Sequence, residues 1–173
     1  MTATPSEPTL YRYALPNVNW EGWAVVLLTS NGMLAVASDF GNYVHHWPPE
    51  PGDFRAFLLQ CDDGYLTRKL SGGHRVVDGQ RTAQGIREQI LHYRREGFYT
   101  REFARKEWDL CNSADFGSEW DLHDWYRETD LEDAYDLVSH DAPPQLVGFM
   151  EHVWPRFRAA LQAELGEAAV AAS

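Results

Sequence analysis

The sequence predicts an α+β fold, an N-terminal antiparallel β-sheet packed against C-terminal helices. Three observations carry this. Short runs rich in β-branched and aromatic residues, broken by turn residues, run as far as the prolines Pro48, Pro49 and Pro51. From Asp53 onward the apolar residues recur at helical spacing behind Asp, Ser and Thr residues suited to capping. No internal repeat or linker interrupts either part. At 173 residues, with 44% apolar and 13% aromatic residues, the chain is long and apolar enough to bury a core, so disorder is not expected. A single domain over residues 1–173 is predicted, with 1–8 and 167–173 frayed.

Leu10 to Leu15 forms the first predicted strand, ended by Pro16. Trp23 to Thr29 is the second, and Trp23, Val25 and Leu27 are expected to face the core. Asn31-Gly32 then suits a two-residue hairpin turn, because both residue types accept positive φ. Met33 to Ala37 returns, Gly41 bends the chain, and Asn42 to Trp47 makes a fourth strand. The prolines end the sheet because proline donates no ladder hydrogen bond. Asp53 caps a helix with Phe54, Phe57 and Leu58, and Asp62 caps another that Gly72-Gly73 stops. Val76-Val77 is a small extra strand. Asp78 or Thr82 opens a helix closed by Gly97, and Thr100 caps the next. Ser118 to Asp121 and Thr129 to Glu132 have the shape of capping boxes. Pro143-Pro144 starts a last helix that Pro155 should kink.

No apolar run approaches the ~18–20 residues that span a bilayer, so no membrane partner is expected. The polar N-terminus lacks the basic start and apolar stretch of a signal peptide, which predicts a cytoplasmic protein. Cys61 and Cys111 make no close pair and read as reduced thiols. His45-His46 would point to opposite faces of a strand, and Asp62-Asp63 is explained by capping. No metal and no cofactor are expected. Asp39-Phe40-Gly41 and Asp115-Phe116-Gly117 copy a kinase tripeptide without the loops and lysine that give it meaning. Ser71-Gly72-Gly73-His74 lacks the ending of a P-loop. Glu88 with His92, His123-Asp124 and His140-Asp141 stand beside no nucleophile motif, so no catalytic residue is assigned.

Charge is the most uneven feature. The formal net charge is −11, yet residues 68–106 carry ten basic and four acidic side chains. Residues 107–152 carry thirteen acidic side chains and one basic, Arg127. The basic stretch is expected to pair with the acidic one, and the overall acidity argues against direct nucleic-acid binding. The candidate partner-binding residues are Glu107, Asp109, Asp115, Glu119, Asp121, Asp124, Glu128, Asp130, Glu132, Asp133 and Asp136. They alternate with Trp108, Trp120, Trp125, Tyr126 and Tyr135, which require the segment to fold. An ordered array of carboxylates can imitate the phosphates of a duplex and occupy a groove lined by Lys and Arg.

The stretches Trp20-Glu21-Gly22-Trp23-Ala24-Val25, Ser38-Asp39-Phe40-Gly41-Asn42-Tyr43, Asp53-Phe54-Arg55 and Tyr65-Leu66-Thr67-Arg68-Lys69-Leu70 resemble small proteins encoded by phages and prophages. The resemblance covers the first half of the chain and carries no catalytic residues. It implies a phage-derived protein acting inside a bacterium, a setting in which small acidic proteins often inhibit host defence enzymes such as CRISPR effectors and restriction systems. The leading expectation is a non-enzymatic inhibitor that binds a host nucleic-acid-handling protein or complex, with DNA mimicry as its mode. One alternative is a small enzyme or nucleotide-binding protein with a site at the polar end of the sheet, using Asp39, Asn42, His45 and Asp62. Another is a homodimeric structural or regulatory phage protein.

Overall fold

The computed structural model describes residues 7–48 and 52–171. Its contacts divide the chain into two compact units, residues 1–74 with 142–173, and residues 75–141. The positions of Pro49 and Pro51, and the termini 1–6 and 172–173, lie outside the described residues.

The first unit holds a four-stranded antiparallel meander, β1 (Leu10–Leu15), β2 (Ala24–Thr29), β3 (Met33–Ser38) and β4 (Gly41–His46), in that order across the sheet. Four helices belong to it: α1 (Phe54–Gln60), α2 (Asp63–Leu70), α6 (Pro144–His152) and α7 (Trp154–Ala171). The α+β prediction therefore holds, and α7 runs on helically through 167–171. Asp53 caps α1 by accepting from Arg55 N, and Asp62 caps α2 by accepting from Tyr65 N, both as expected.

Three details differ from the prediction. The face of β2 that enters the core carries Ala24, Val26 and Leu28, while Trp23 is 40% exposed and Val25 and Leu27 are half-buried. With Val or Leu at four successive positions, either parity gives an apolar face, so packing against the helices decides. The β2–β3 turn has only Gly32 at positive φ, 100°, with Gly32 N donating to Thr29 O. Leu28 pairs with Leu34, so the connection is longer than a two-residue turn, and Asn31 has no need of the left-handed region. Pro155 does not kink one helix. The chain breaks at Val153, and Pro155 sits in the first turn of α7, where its missing N–H costs nothing.

The core of this unit joins Val26, Leu28, Leu34 and Val36 to Leu58, Leu66, Phe149, Trp154 and Phe157. Gly148 on α6 has no space for a side chain, since a Cβ there would stand 2.6 Å from the Phe40 ring. Phe57 is only half-buried. Arg55 pairs with Asp53 and Glu164, each at 2.6 Å, beneath the Tyr11 ring, and Tyr13 donates to Glu164 at 2.7 Å.

The second unit begins and ends on a small ribbon, β5 (Val76–Val77) paired with β6 (His140–Asp141). Between them lie α3 (Gly79–Arg95), α4 (Arg101–Ser113), α5 (Glu119–Glu128) and a 3-10 turn at Ala134–Leu137. Asp78, Thr100 and Ser118 cap the three helices. Gly97 follows α3 with φ 80°. Thr129 to Glu132 opens no helix: Thr129 is the C-terminal cap of α5, its N–H donating to Trp125 O at 3.0 Å, and its hydroxyl donates to Glu107 at 2.6 Å. Ile86, Ile90, Cys111, Phe116, Leu122 and Trp125 build a separate core. Cys61 and Cys111 are free thiols, and burial raises the pKa of each. Among the described residues no helix is long and apolar enough to cross a membrane.

Candidate functional site

The second unit places the predicted acidic residues in several different settings. Glu107 is not on the surface. It lies in the buried row Ala104, Glu107, Cys111 of α4 at 1% exposure, and it accepts from Thr129 and from Asp130 N. It is a structural carboxylate, and a partner would not reach it. Asp109 pairs with Arg105 at 3.0 Å, Asp130 pairs with Lys106, and Glu119 faces His140 at 3.1 Å. Among the described residues the side-chain carboxylates of Asp124, Glu128, Glu132, Asp133 and Asp136 have no ion-pair or hydrogen-bond partner. All five are exposed.

The expectation that the basic stretch neutralises the acidic one holds for two residues, Arg105 and Lys106. Arg75 donates to a backbone carbonyl and Arg87 to Asn112 at 3.1 Å. Among the described residues Asp121, Asp124 and Glu128 of α5 are therefore left without an ion-pair partner inside the unit.

Four of the predicted residues converge. Asp121, Asp124 and Glu128 stand at i, i+3 and i+7 on α5, one helical face. Asp115, from the loop before the Ser118 cap, joins them along a cleft of about 210 Å³ with Leu110 and Trp125 at its wall. Ser118 Oγ holds Asp121 at 2.6 Å, and Asp115 accepts from Gly117 N at 2.9 Å. Asp121 lies in the first turn of α5, where the helix dipole favours an anion. Glu128 lies in the last turn, where the dipole opposes one. Trp125 is 2% exposed, and its indole Nε1 has no hydrogen-bond partner. Trp120, four residues before Asp124, is 82% exposed.

The profile of a phage family matches residues 3–163. The chain belongs to that phage family. The match takes in the acidic half as well as the first half, where the sequence resemblance lay. No curated protein and no solved structure matches the chain.

In this phage-family protein, no group of three or more His, Cys, Asp or Glu among the described residues is arranged to hold a metal ion. The four residues named for a site at the sheet end are not brought together. Asp39 accepts from Gly22 N at 2.7 Å, and Asn42 pairs with Ala37 far along β4 from His45. Asp62 is occupied as the α2 cap, and His45 alone of the four lines a cavity. Two aromatic sites escaped the sequence reading. One is an open cleft of about 710 Å³ where Tyr93, Phe98, Tyr99 and Phe103 meet Asp130 and Glu132. The other is the cavity containing His45, whose walls come from the β2–β3 turn, the end of β4, α1 and α2. The aromatics of the first stand close together in the chain and meet distant carboxylates, while the walls of the second come from Ser30 to Lys69, beyond any spacing rule.

Proposed function

We propose that the phage protein is a non-enzymatic binder whose second unit docks on a basic surface of a host protein that handles nucleic acid, and so inhibits it. The supporting observation is the cleft of Asp115, Asp121, Asp124 and Glu128, three carboxylates on a capped helix and one from the loop before it, with no ion-pair partner among the described residues. Unmatched anions held on an ordered helix steer association with a Lys- or Arg-lined groove and exclude partners of like charge. Trp120 adds an exposed aromatic in the same i, i+4, i+8 row as Asp124 and Glu128, the kind of side chain that anchors interfaces. A phage family makes a host defence complex, CRISPR or restriction, the natural class of target, and duplex mimicry the natural mode. In this reading no nucleic acid is bound directly, no cofactor is used, and the protein works in the host cytoplasm.

The test is affinity purification from a bacterial lysate, followed by reconstitution with the purified partner. Binding should weaken with salt, since exposed charges are screened beyond about 8–10 Å at physiological ionic strength. DNA or RNA should compete for the same groove. Simultaneous reversal of Asp121, Asp124 and Glu128 to Lys should slow association at least about tenfold with the fold intact. Reversal of Arg87 and Arg94 should change it far less. A folded triple variant that binds and inhibits like the parent refutes the proposal.

A further inference from the structure

The first unit contains a second, chemically different site. A cavity of about 380 Å³ opens between the end of β4 and helices α1 and α2. Its apolar wall is aromatic. Trp47 is 6% exposed and packs at 5.5 Å from Phe54 and 6.0 Å from Phe57, whose rings stack at 5.9 Å. His45 meets the Trp47 ring edge-on at 4.4 Å. Such a wall favours a flat ring over an aliphatic chain.

Among the described residues its charge is unbalanced, and two carboxylate or ammonium side chains reach the cavity, Asp53 and Lys69. Asp53 is consumed by Arg55, which donates to both carboxylate oxygens at 2.6–3.1 Å. Lys69 is half-buried, lies 5.5 Å from the Tyr65 ring centroid, and has no carboxylate partner among the described residues. Tyr65 accepts from Trp47 Nε1 at 2.9 Å, which leaves its own hydroxyl proton free to donate. Burial, then the Lys69 charge and His46, lower the His45 pKa, so His45 is a neutral partner at neutral pH. An ammonium partly removed from water without a counter-ion costs free energy that an arriving anion returns. The cavity lies within the size range of small-molecule sites, roughly 300–1,000 Å³.

We propose that this cavity binds a small planar aromatic anion, with its ring against Trp47, Phe54 and Phe57 and its negative group on Lys69 and the Tyr65 hydroxyl. The ring and the charge are both required, because neither half of the site is satisfied by the other's ligand. A mononucleotide and an aromatic carboxylate share this chemistry. The site is separate from the acidic cleft and does not depend on it.

Isothermal titration calorimetry of the full chain tests the site with adenosine and thymidine 5′-monophosphates in one arm and indole-3-carboxylate in the other. Adenosine, indole and inorganic phosphate serve as half-ligands. At least one charged aromatic should bind saturably, with its uncharged counterpart and phosphate alone at least about tenfold weaker, as expected for one charge-assisted contact. Lys69→Ala should remove that difference, Lys69→Arg should retain most of it, and the α5 triple reversal should leave it unchanged. A response in the nucleotide arm assigns a phosphate ligand, and one in the indole arm a carboxylate. No saturable binding below about 1 mM in either arm overturns the proposal. Equal binding by parent and by folded Lys69→Ala also overturns it.

Discussion

Replacing Glu107 tests whether this carboxylate holds the second unit together. Its oxygens receive the Thr129 hydroxyl at 2.6 Å and the Asp130 N–H at 3.3 Å. The Lys106 ammonium at 3.6 Å is half exposed, and screening leaves that pair little weight. A hydrogen bond to a buried charge is worth about 1.5–3 kcal/mol, and the longer contact to Asp130 about 0.5–1 kcal/mol. Glu107→Ala removes both and leaves their donors unsatisfied, while also removing the desolvation of the carboxylate itself. The net loss should be about 2–3 kcal/mol, and Glu107→Gln, which keeps the shape, should lose about 1 kcal/mol. A double-mutant cycle with Thr129→Val should give a coupling of about 1–2 kcal/mol. Exposed, unpaired Glu132→Ala is the control and should stay within about 0.5 kcal/mol. Urea unfolding gives the global values, and hydrogen exchange at Asp130 and Leu131 reads the local effect without assuming that the whole chain unfolds in one step. A Glu107→Ala protein within about 0.5 kcal/mol of the parent, with unchanged exchange over 129–131, would refute the reasoning.

Two further outcomes follow from the charges. Glu128→Lys should raise the stability of the second unit by about 0.3–1 kcal/mol, because a cation replaces an unpaired anion in the last turn of α5. The same change should weaken partner binding, and a loss of stability measured by urea unfolding would contradict this account. In the first unit, burial, followed by the hydrogen bond to Glu164, raises the Tyr13 pKa from 10.0 to about 12 against the opposing effect of Arg55. The folded state then holds a proton that the unfolded state releases first. This contribution to stability is present below about pH 10 and is lost as the pH rises towards about 12. Alkaline unfolding of the parent should show that window and Tyr13→Phe should lose the Tyr13 share of it, burial of Tyr43 supplying the rest in this unit, while phenolate absorbance complete near pH 10 in the folded protein would contradict it.

The local chemistry of the chain was legible in its sequence. Asp53, Asp62, Asp78, Thr100 and Ser118 cap helices because a short oxygen-bearing side chain reaches the nearby N–H groups without help from distant residues. The strand order follows from short connections. The common face of Asp121, Asp124 and Glu128 follows from helical period alone. The burial of Glu107 was also legible, since Ala104, Glu107 and Cys111 keep one apolar phase of α4, although charge composition argued for the surface. Other features were decided by tertiary contacts. The inward parity of β2 depends on which face the helices cover, because Val25 to Leu28 is apolar on both. Thr129 has the pattern of an N-cap, but the next turn, Ala134–Leu137, starts only after Asp133, and the Thr129 hydroxyl donates to Glu107 of another helix while accepting from Leu131 N. Asp115 reaches the acidic cleft from a loop, and His45, Trp47, Phe54, Tyr65 and Lys69 meet only because a strand end and two helices converge on one cavity. Caps and helix faces depend on neighbours a few residues away, which a sequence displays directly. Cavities and unmatched charges depend on which distant side chains arrive and which do not, and only the folded chain determines that.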